Sequence, residues 1–201
     1  LYDVSEGEVK VGGVNVKDYD LTTLRNEVAV VLQKNVLFSG TIKDNLRWGN
    51  KEATDEEVEK VLEMIGATKF VKDYPNGINT NLDYLGGNLS TGEKQLISFA
   101  RILLRNPSII ILDEATANID TETEILIQNA LKVLASGRTT FVVAHRLSTI
   151  RNADNIYVLD DGKIVGEGNH SELLKKNKIY IIGFNAISGL YICKRNRLWN
   201  I

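Results

Sequence analysis

The stretch NLSTGEKQLISFARILLRNPSIIILDEATANID, residues 88–120, decides the fold. Within it, Ser108-Ile109-Ile110-Ile111-Leu112 is a short apolar, β-branched run after Pro107, and reads as a buried strand with both faces covered. It ends in Asp113-Glu114. Upstream, Leu96, Phe99, Ala100, Leu103 and Leu104 recur at helical spacing and mark one apolar stripe. A helix that delivers the chain into such a strand, in a sequence where strand and helix patterns alternate throughout, predicts an α/β fold.

The two ends of this helix–strand pair carry chemistry. Carboxylates where a buried parallel strand runs out lie at the edge where open α/β sheets bind ligands. A hard cation such as Mg²⁺ takes carboxylate and phosphate oxygens, so Asp113 suits a metal-bound nucleotide. Glu114 is then free to orient or deprotonate an attacking water. An acidic pair that merely faces solvent is the alternative for these two residues alone. At the other end, Ser90 stands at a helix N-cap position, with Glu93 three residues on as a capping box. Such an N-terminus points N–H groups and a positive dipole end outward, and Gly92 lets a backbone or a phosphate come close. An ordinary cap and an anion site are compatible here.

Residues 89–120 together resemble the signature motif, Walker B strand and D-loop of an ATP-binding cassette (ABC) transporter nucleotide-binding domain. The usual signature is LSGGQ; this chain has Leu89-Ser90-Thr91-Gly92-Glu93. The resemblance extends from Leu1 to about Lys176. The apolar run 28–32 ends in Gln33, and Asn35-Val36-Leu37-Phe38-Ser39-Gly40-Thr41-Ile42 resembles the Q-loop of exporter-type cassettes. The run 139–144 delivers His145 and then Arg146-Leu147-Ser148-Thr149, which resembles the H-loop.

The resemblance implies a partial P-loop NTPase (ABC ATPase) fold over residues 1–177, with a RecA-like core, a helical subdomain and an antiparallel β-layer, and an atypical tail over 178–201. It implies ATP and Mg²⁺ as ligands, with Glu114 and His145 catalytic and Asp113 and Gln33 at the metal. Ser90, Thr91, Gly92, Glu93 and Asp120, with Gln33, would contact the nucleotide. Its implied partners are a second nucleotide-binding domain, in a homo- or heterodimer, and a transmembrane domain at the cytoplasmic face of the cell membrane. An exporter is the implied function. A truncated cassette that pairs without hydrolysing, and a non-transport ABC ATPase of the DNA-repair or chromosome kind, are the alternatives; the second usually carries long coiled coils, and none lies between Gln33 and Leu89.

Composition agrees with this reading. The chain has 201 residues, 43% hydrophobic and 25% charged, enough for one substantial core. A net charge of −2 gives no basic footprint for nucleic acid, so none is expected as a partner. One cysteine, Cys193, leaves no internal disulfide. Neither a secretory signal nor a clean membrane span is apparent in the sequence.

Elsewhere the patterns are local. Residues 8–11 and 14–16 alternate around Gly12-Gly13 as a β-hairpin. Thr54 and Glu57 form a second capping box, opening a helix over 55–65 that Gly66 ends. Residues 121–135 read as an amphipathic helix, and Asp161-Gly162 joins 156–159 to 163–165 as another hairpin. His170 is expected to help start a terminal helix and is given no chemical role.

Three departures from the family pattern stand out. No segment matches GxxxxGK[ST], the loop that wraps β- and γ-phosphates. A piece of a longer polypeptide that supplies this loop upstream is the expectation, with weak or no ATP binding by the piece alone. Thr91 and Glu93 add bulk and negative charge to the signature, as in one half of a heterodimer with unequal sites. Asp83-Tyr84 replaces the Gly-Glu pair that exporters usually place before the signature. In the tail, residues 179–192 are too short and too interrupted for a membrane helix; a surface-lying segment or a shifted reading frame would account for them.

Overall fold

The computed structural model describes residues 3–32, 35–114, 119–144, 151–180 and 190–195, with Glu114, Ala144 and 190–195 as backbone alone. Three sheets, seven α-helices and three short 3-10 helices are found among the described residues. A small hairpin comes first, β1 (Lys10–Val11) with β2 (Val14–Asn15). Tyr19 closes it by donating to the Val11 carbonyl at 2.7 Å. Next come α1 (Leu21–Glu27) and β3 (Val28–Val31). A helical insertion follows, with α2 (Ile42–Arg47), α3 (Asp55–Met64) and α4 (Thr68–Asp73), bracketed by the two-stranded pair of β4 (Gly40–Thr41) and β5 (Asn81–Leu82). The chain then runs through α5 (Thr91–Arg105), β6 (Ile109–Glu114), α6 (Thr121–Ala135) and β7 (Thr139–Ala144). It continues with β8 (Asn155–Asp160), β9 (Lys163–Gly168), α7 (His170–Lys176) and β10 (Leu190–Arg195).

Local chemistry sets the helix starts. Side-chain oxygens of Thr41, Thr54, Ser90 and Asn169 each accept from the N–H three residues on, and the acid there reaches back to the cap N–H. The boxes expected at Thr54 and Ser90 are therefore present. Gly66, at φ +71°, ends α3 as a left-handed cap where a side chain would be strained.

The main sheet has the order β3-β6-β7-β10-β8-β9. Strands β3, β6 and β7 are parallel, in the register Val30–Ile111–Phe141 and Val31–Leu112–Val142. Strand β10 is antiparallel to both β7 and β8, so β7 and β8 point the same way with one slot between them. The tail beyond Lys178 thus supplies a strand to the middle of the sheet. Tyr180, which is fully buried, anchors its start.

One expectation about this sheet is corrected. The run 108–112 reads as covered on both faces, but among the described residues only one face is fully packed. Ala29, Ile110, Thr140, Val31, Leu112 and Val142 are buried in one core cluster with α5 and α6, save that Thr140 joins as a polar member. On the opposite face Val30 is 40% and Phe141 43% exposed, with Ile111 half-buried between them. The strand period of two sends alternate residues to opposite faces, and the described helices cover only one of them.

Candidate functional site

Parallel pairing brings the C-terminal ends of β3, β6 and β7 to one edge. Asp113 pairs in register with Val143, and Glu114 with Ala144. Asp113 is half-buried and shares the alternation of Ile109 and Ile111, the less covered face. Gln33 and His145, expected to join it there, lie outside the described residues, as do 115–118. The donor set suits Mg²⁺, which is commonly held by one or two carboxylates together with waters and substrate phosphates. No group of three or more His, Cys, Asp or Glu that could cage a metal occurs among the described residues.

The signature turn is a second structural unit. Ser90 Oγ accepts from Glu93 N at 3.2 Å, and Glu93 Oε2 accepts from Ser90 N at 2.7 Å. The hydroxyl proton of Ser90 is not used in this box, so it remains a donor for an anion. The N–H groups of Thr91 and Gly92, in the first turn, have no intrahelical acceptor. Thr91 is exposed and Gly92 buried. A Cβ built on Gly92 would come within 2.1 Å of Thr123 Cγ2, so the close neighbour of this glycine within the chain is the first turn of α6.

That contact joins the signature to Asp120. Asp120 caps α6, its Oδ1 accepting from Thr123 N at 2.9 Å. The Thr123 N–H holds the Asp120 carboxyl below the usual carboxylate range, with the Thr123 side chain adding to it. Of the expected site residues, the structure therefore brings Ser90, Thr91, Gly92, Glu93 and Asp120 into one corner, and sets Asp113 and Glu114 at the sheet edge.

Two features of this corner were not legible in the sequence. Tyr74 donates to the Asn88 carbonyl at 3.1 Å, and burial together with the adjacent Glu93 carboxylate pushes its hydroxyl up. Asn88 in turn folds the preceding turn, accepting from Asp83 N at 3.1 Å and donating to Asn81 O at 3.0 Å. Within that turn Leu85 adopts φ +52°, a left-handed conformation that is uncommon for a bulky residue.

The sequence profile of the family described as ABC transporter matches residues 1–117. The chain belongs to the ABC transporter family. It is 53% identical over 180 residues to the uncharacterized ABC transporter ATP-binding protein YknV of Bacillus subtilis (strain 168), covering 90% of this chain and 30% of that protein. It is 52% identical over 174 residues to the probable multidrug resistance ABC transporter ATP-binding/permease protein YheH of the same organism, covering 87% and 26%. Among solved structures, a bacterial Atm1-family ABC exporter with ATP bound superposes with a TM-score of 0.84 at 37% identity, over 92% of this chain and 32% of that one. The chain thus spans a third or less of the length of these ABC relatives, and its α/β architecture is that of an ABC exporter nucleotide-binding domain.

Proposed function

We propose that this chain is the ATP-binding and ATP-hydrolysing part of an ABC exporter, coupling ATP hydrolysis to movement of a substrate across a membrane. The observation that carries the reading is the placement of Asp113-Glu114 at the C-terminal edge of a parallel sheet, in register with the end of β7. Similarity to proteins named as ATP-binding/permease proteins supports it.

In this reading Glu114 orients the attacking water and accepts its proton as the water oxygen bonds to the γ-phosphorus, while the bond from that phosphorus to the β–γ bridging oxygen breaks and ADP leaves with the electron pair. Asp113 and Gln33 would hold Mg²⁺, which would supply positive charge to offset that of the phosphate oxygens. His145, next in sequence after β7, contacts the γ-phosphate. Ser90 and the N–H groups of Thr91 and Gly92 face the ATP held by a second nucleotide-binding domain, with Glu93 beside them and Asp120 at the same junction. The two subunits therefore complete each other's sites.

A transmembrane domain is the other partner, on the cytoplasmic face of the cell membrane. The surface offered to it is apolar and aromatic. Phe38 and Trp48 stack at 4.4 Å, and are 41% and 59% exposed. The adjoining Leu37 packs under Gly86, next to the exposed Tyr84 and Leu85. The occupant is the permease part of the same protein, since relatives carry both functions in one named polypeptide. No described helix is long and apolar enough to cross a membrane.

The test is MgATP turnover by the full-length protein and its Glu114→Gln variant. Turnover abolished by the substitution supports the reading. Equal turnover by both would remove Glu114 from the mechanism.

A further inference from the structure

A polar side chain helps tie the end of α5 remote from Ser90 to the aromatic surface. Arg101, about three helical turns from Ser90, donates through Nε to the Asn45 carbonyl at 2.9 Å and through Nη2 to Asn45 Oδ1 at 3.2 Å. A longer contact of 3.5 Å runs from Nη1 to the Val36 carbonyl. Its guanidinium lies 5.7 Å from the centre of the Phe38 ring.

Asn45 is fully buried and committed on every side. Its Oδ1 also accepts from Phe38 N at 2.8 Å, and its Nδ2 donates to the carbonyls of Phe38 at 2.9 Å and Thr41 at 3.0 Å. The residue after Trp48 presses on the same helix, for a Cβ on Gly49 would lie 2.0 Å from the Arg101 carbonyl oxygen. Phe38 and Trp48 therefore ride on a bracket whose other end is α5.

This arrangement is costly. None of the ion pairs among the described residues includes Arg101, and burial lowers the affinity of its guanidinium for the proton. Among the described residues, only carbonyl and amide oxygens and a ring face meet the charge. A planar fork fixed in two directions meets that geometry; an ammonium on a flexible stem does not.

We propose that Arg101 is a positioning residue that locks the exposed Phe38–Trp48 pair to α5, so that a displacement of the docked surface is transmitted to Ser90 at the other end of the helix. The proposal rests on the exporter reading for its consequence, and on the hydrogen bonds above for its geometry. Helix α5 is a continuous rod of fifteen residues, which suits it to carry a rigid-body shift.

The experiment uses the full-length protein with Arg101→Lys, Trp48→Ala and the double variant, and Glu114→Gln as a control for genuine turnover. Each single substitution should lower kcat for MgATP by roughly two- to thirtyfold while KM stays within about twofold. The double variant should be no slower than the slower single. Multiplying effects, an unchanged kcat in either single variant, or an equal loss through KM would overturn the proposal. Trp48 is exposed, so its variant reports even where Arg101→Lys fails to fold. Amide hydrogen exchange gives a second readout that needs no activity. Trp48→Ala should speed exchange within α5 in the wild-type background and leave it unchanged in the Arg101→Lys background; equal changes in both, or none in either, would sink the link. Absence of Glu114-dependent turnover in the wild type would instead count against the exporter reading, leaving the exchange measurement to decide this one.

Discussion

Thr123 occupies the space that a side chain at Gly92 would need: the two first turns of α5 and α6 meet with a Cβ-to-Cγ2 separation of 2.1 Å for any larger residue at 92. In an open helix, Gly→Ala would gain about 1 kcal/mol from helix propensity. Here the added methyl meets the γ-methyl of a stiff, β-branched side chain. Gly92→Ala should therefore destabilise the protein by about 1–3 kcal/mol, the usual cost of overpacking. Thr123→Ser, which removes only the clashing methyl, should recover most of that loss in the double variant. Urea midpoints of the four proteins decide it; a Gly92→Ala protein more stable than wild type would mean that the helices are not in contact at this point.

The tail is fastened by a hydrogen bond of 2.7 Å between His170 Nδ1 and the Tyr180 hydroxyl. Burial pushes the Tyr180 hydroxyl up to about 12. Burial, with the nearby Arg151 charge, lowers His170 from its ordinary value. The signs are opposite in consequence. A raised folded pKa for Tyr180 gives stability that is whole below an unfolded value of about 10 and is lost as pH rises through the folded value. A depressed folded pKa for His170 gives stability present above about 6.5 and lost as pH falls through the folded value. Tyr180→Phe should cost about 1–2 kcal/mol at neutral pH and flatten the alkaline limb of a stability–pH curve. A limb of unchanged steepness would show that Tyr180 titrates as it does in the unfolded chain.

What the sequence disclosed, and what it withheld, follows the range of the interactions. The caps at Thr54 and Ser90, the helix over residues 121–135 and the strand ending at Asp113-Glu114 are written in contiguous residues, and each is found. The open face carrying Val30 and Phe141 was not legible, because an apolar run reports a tendency to be buried and not how many layers arrive to bury it. Arg101 and Asn45 are separated by 56 residues and meet through a backbone carbonyl, which leaves no trace in spacing or periodicity. The signature could be found by its motif and its cap together. Tyr74 could not, since one tyrosine on an unremarkable helix end announces no partner.

Strand β10 tests the tail directly. Ile192 pairs with Val142 on one side and Ile156 on the other, so its backbone stands in a ladder with two neighbours. Proline there removes a donor and sets φ away from the extended strand value, a change that sheets accept essentially only at edges or bulges. Ile192→Pro should lower the thermal midpoint of the chain and raise amide exchange in both β7 and β8. Substitution with no effect on either strand would place the segment outside the sheet.

Glu93 is the departure from the usual signature whose consequence can be isolated. Its carboxylate is held by the Ser90 N–H at 2.7 Å and lies beside the Tyr74 hydroxyl, so the charge is fixed within the turn that would meet a phosphate. Glutamine fills the same place in a capping box without the charge. Glu93→Gln should therefore leave thermal stability nearly unchanged. In the full-length protein it should lower the KM for MgATP, because one repulsive charge is removed from an anionic ligand. The effect should shrink with added salt, as screening weakens a partly exposed charge more than a buried one. Measuring KM at two ionic strengths separates this from a change in the cap. A KM that rises in step with a falling melting temperature would assign Glu93 to the fold alone, and an unchanged KM at low salt would place the nucleotide away from this turn.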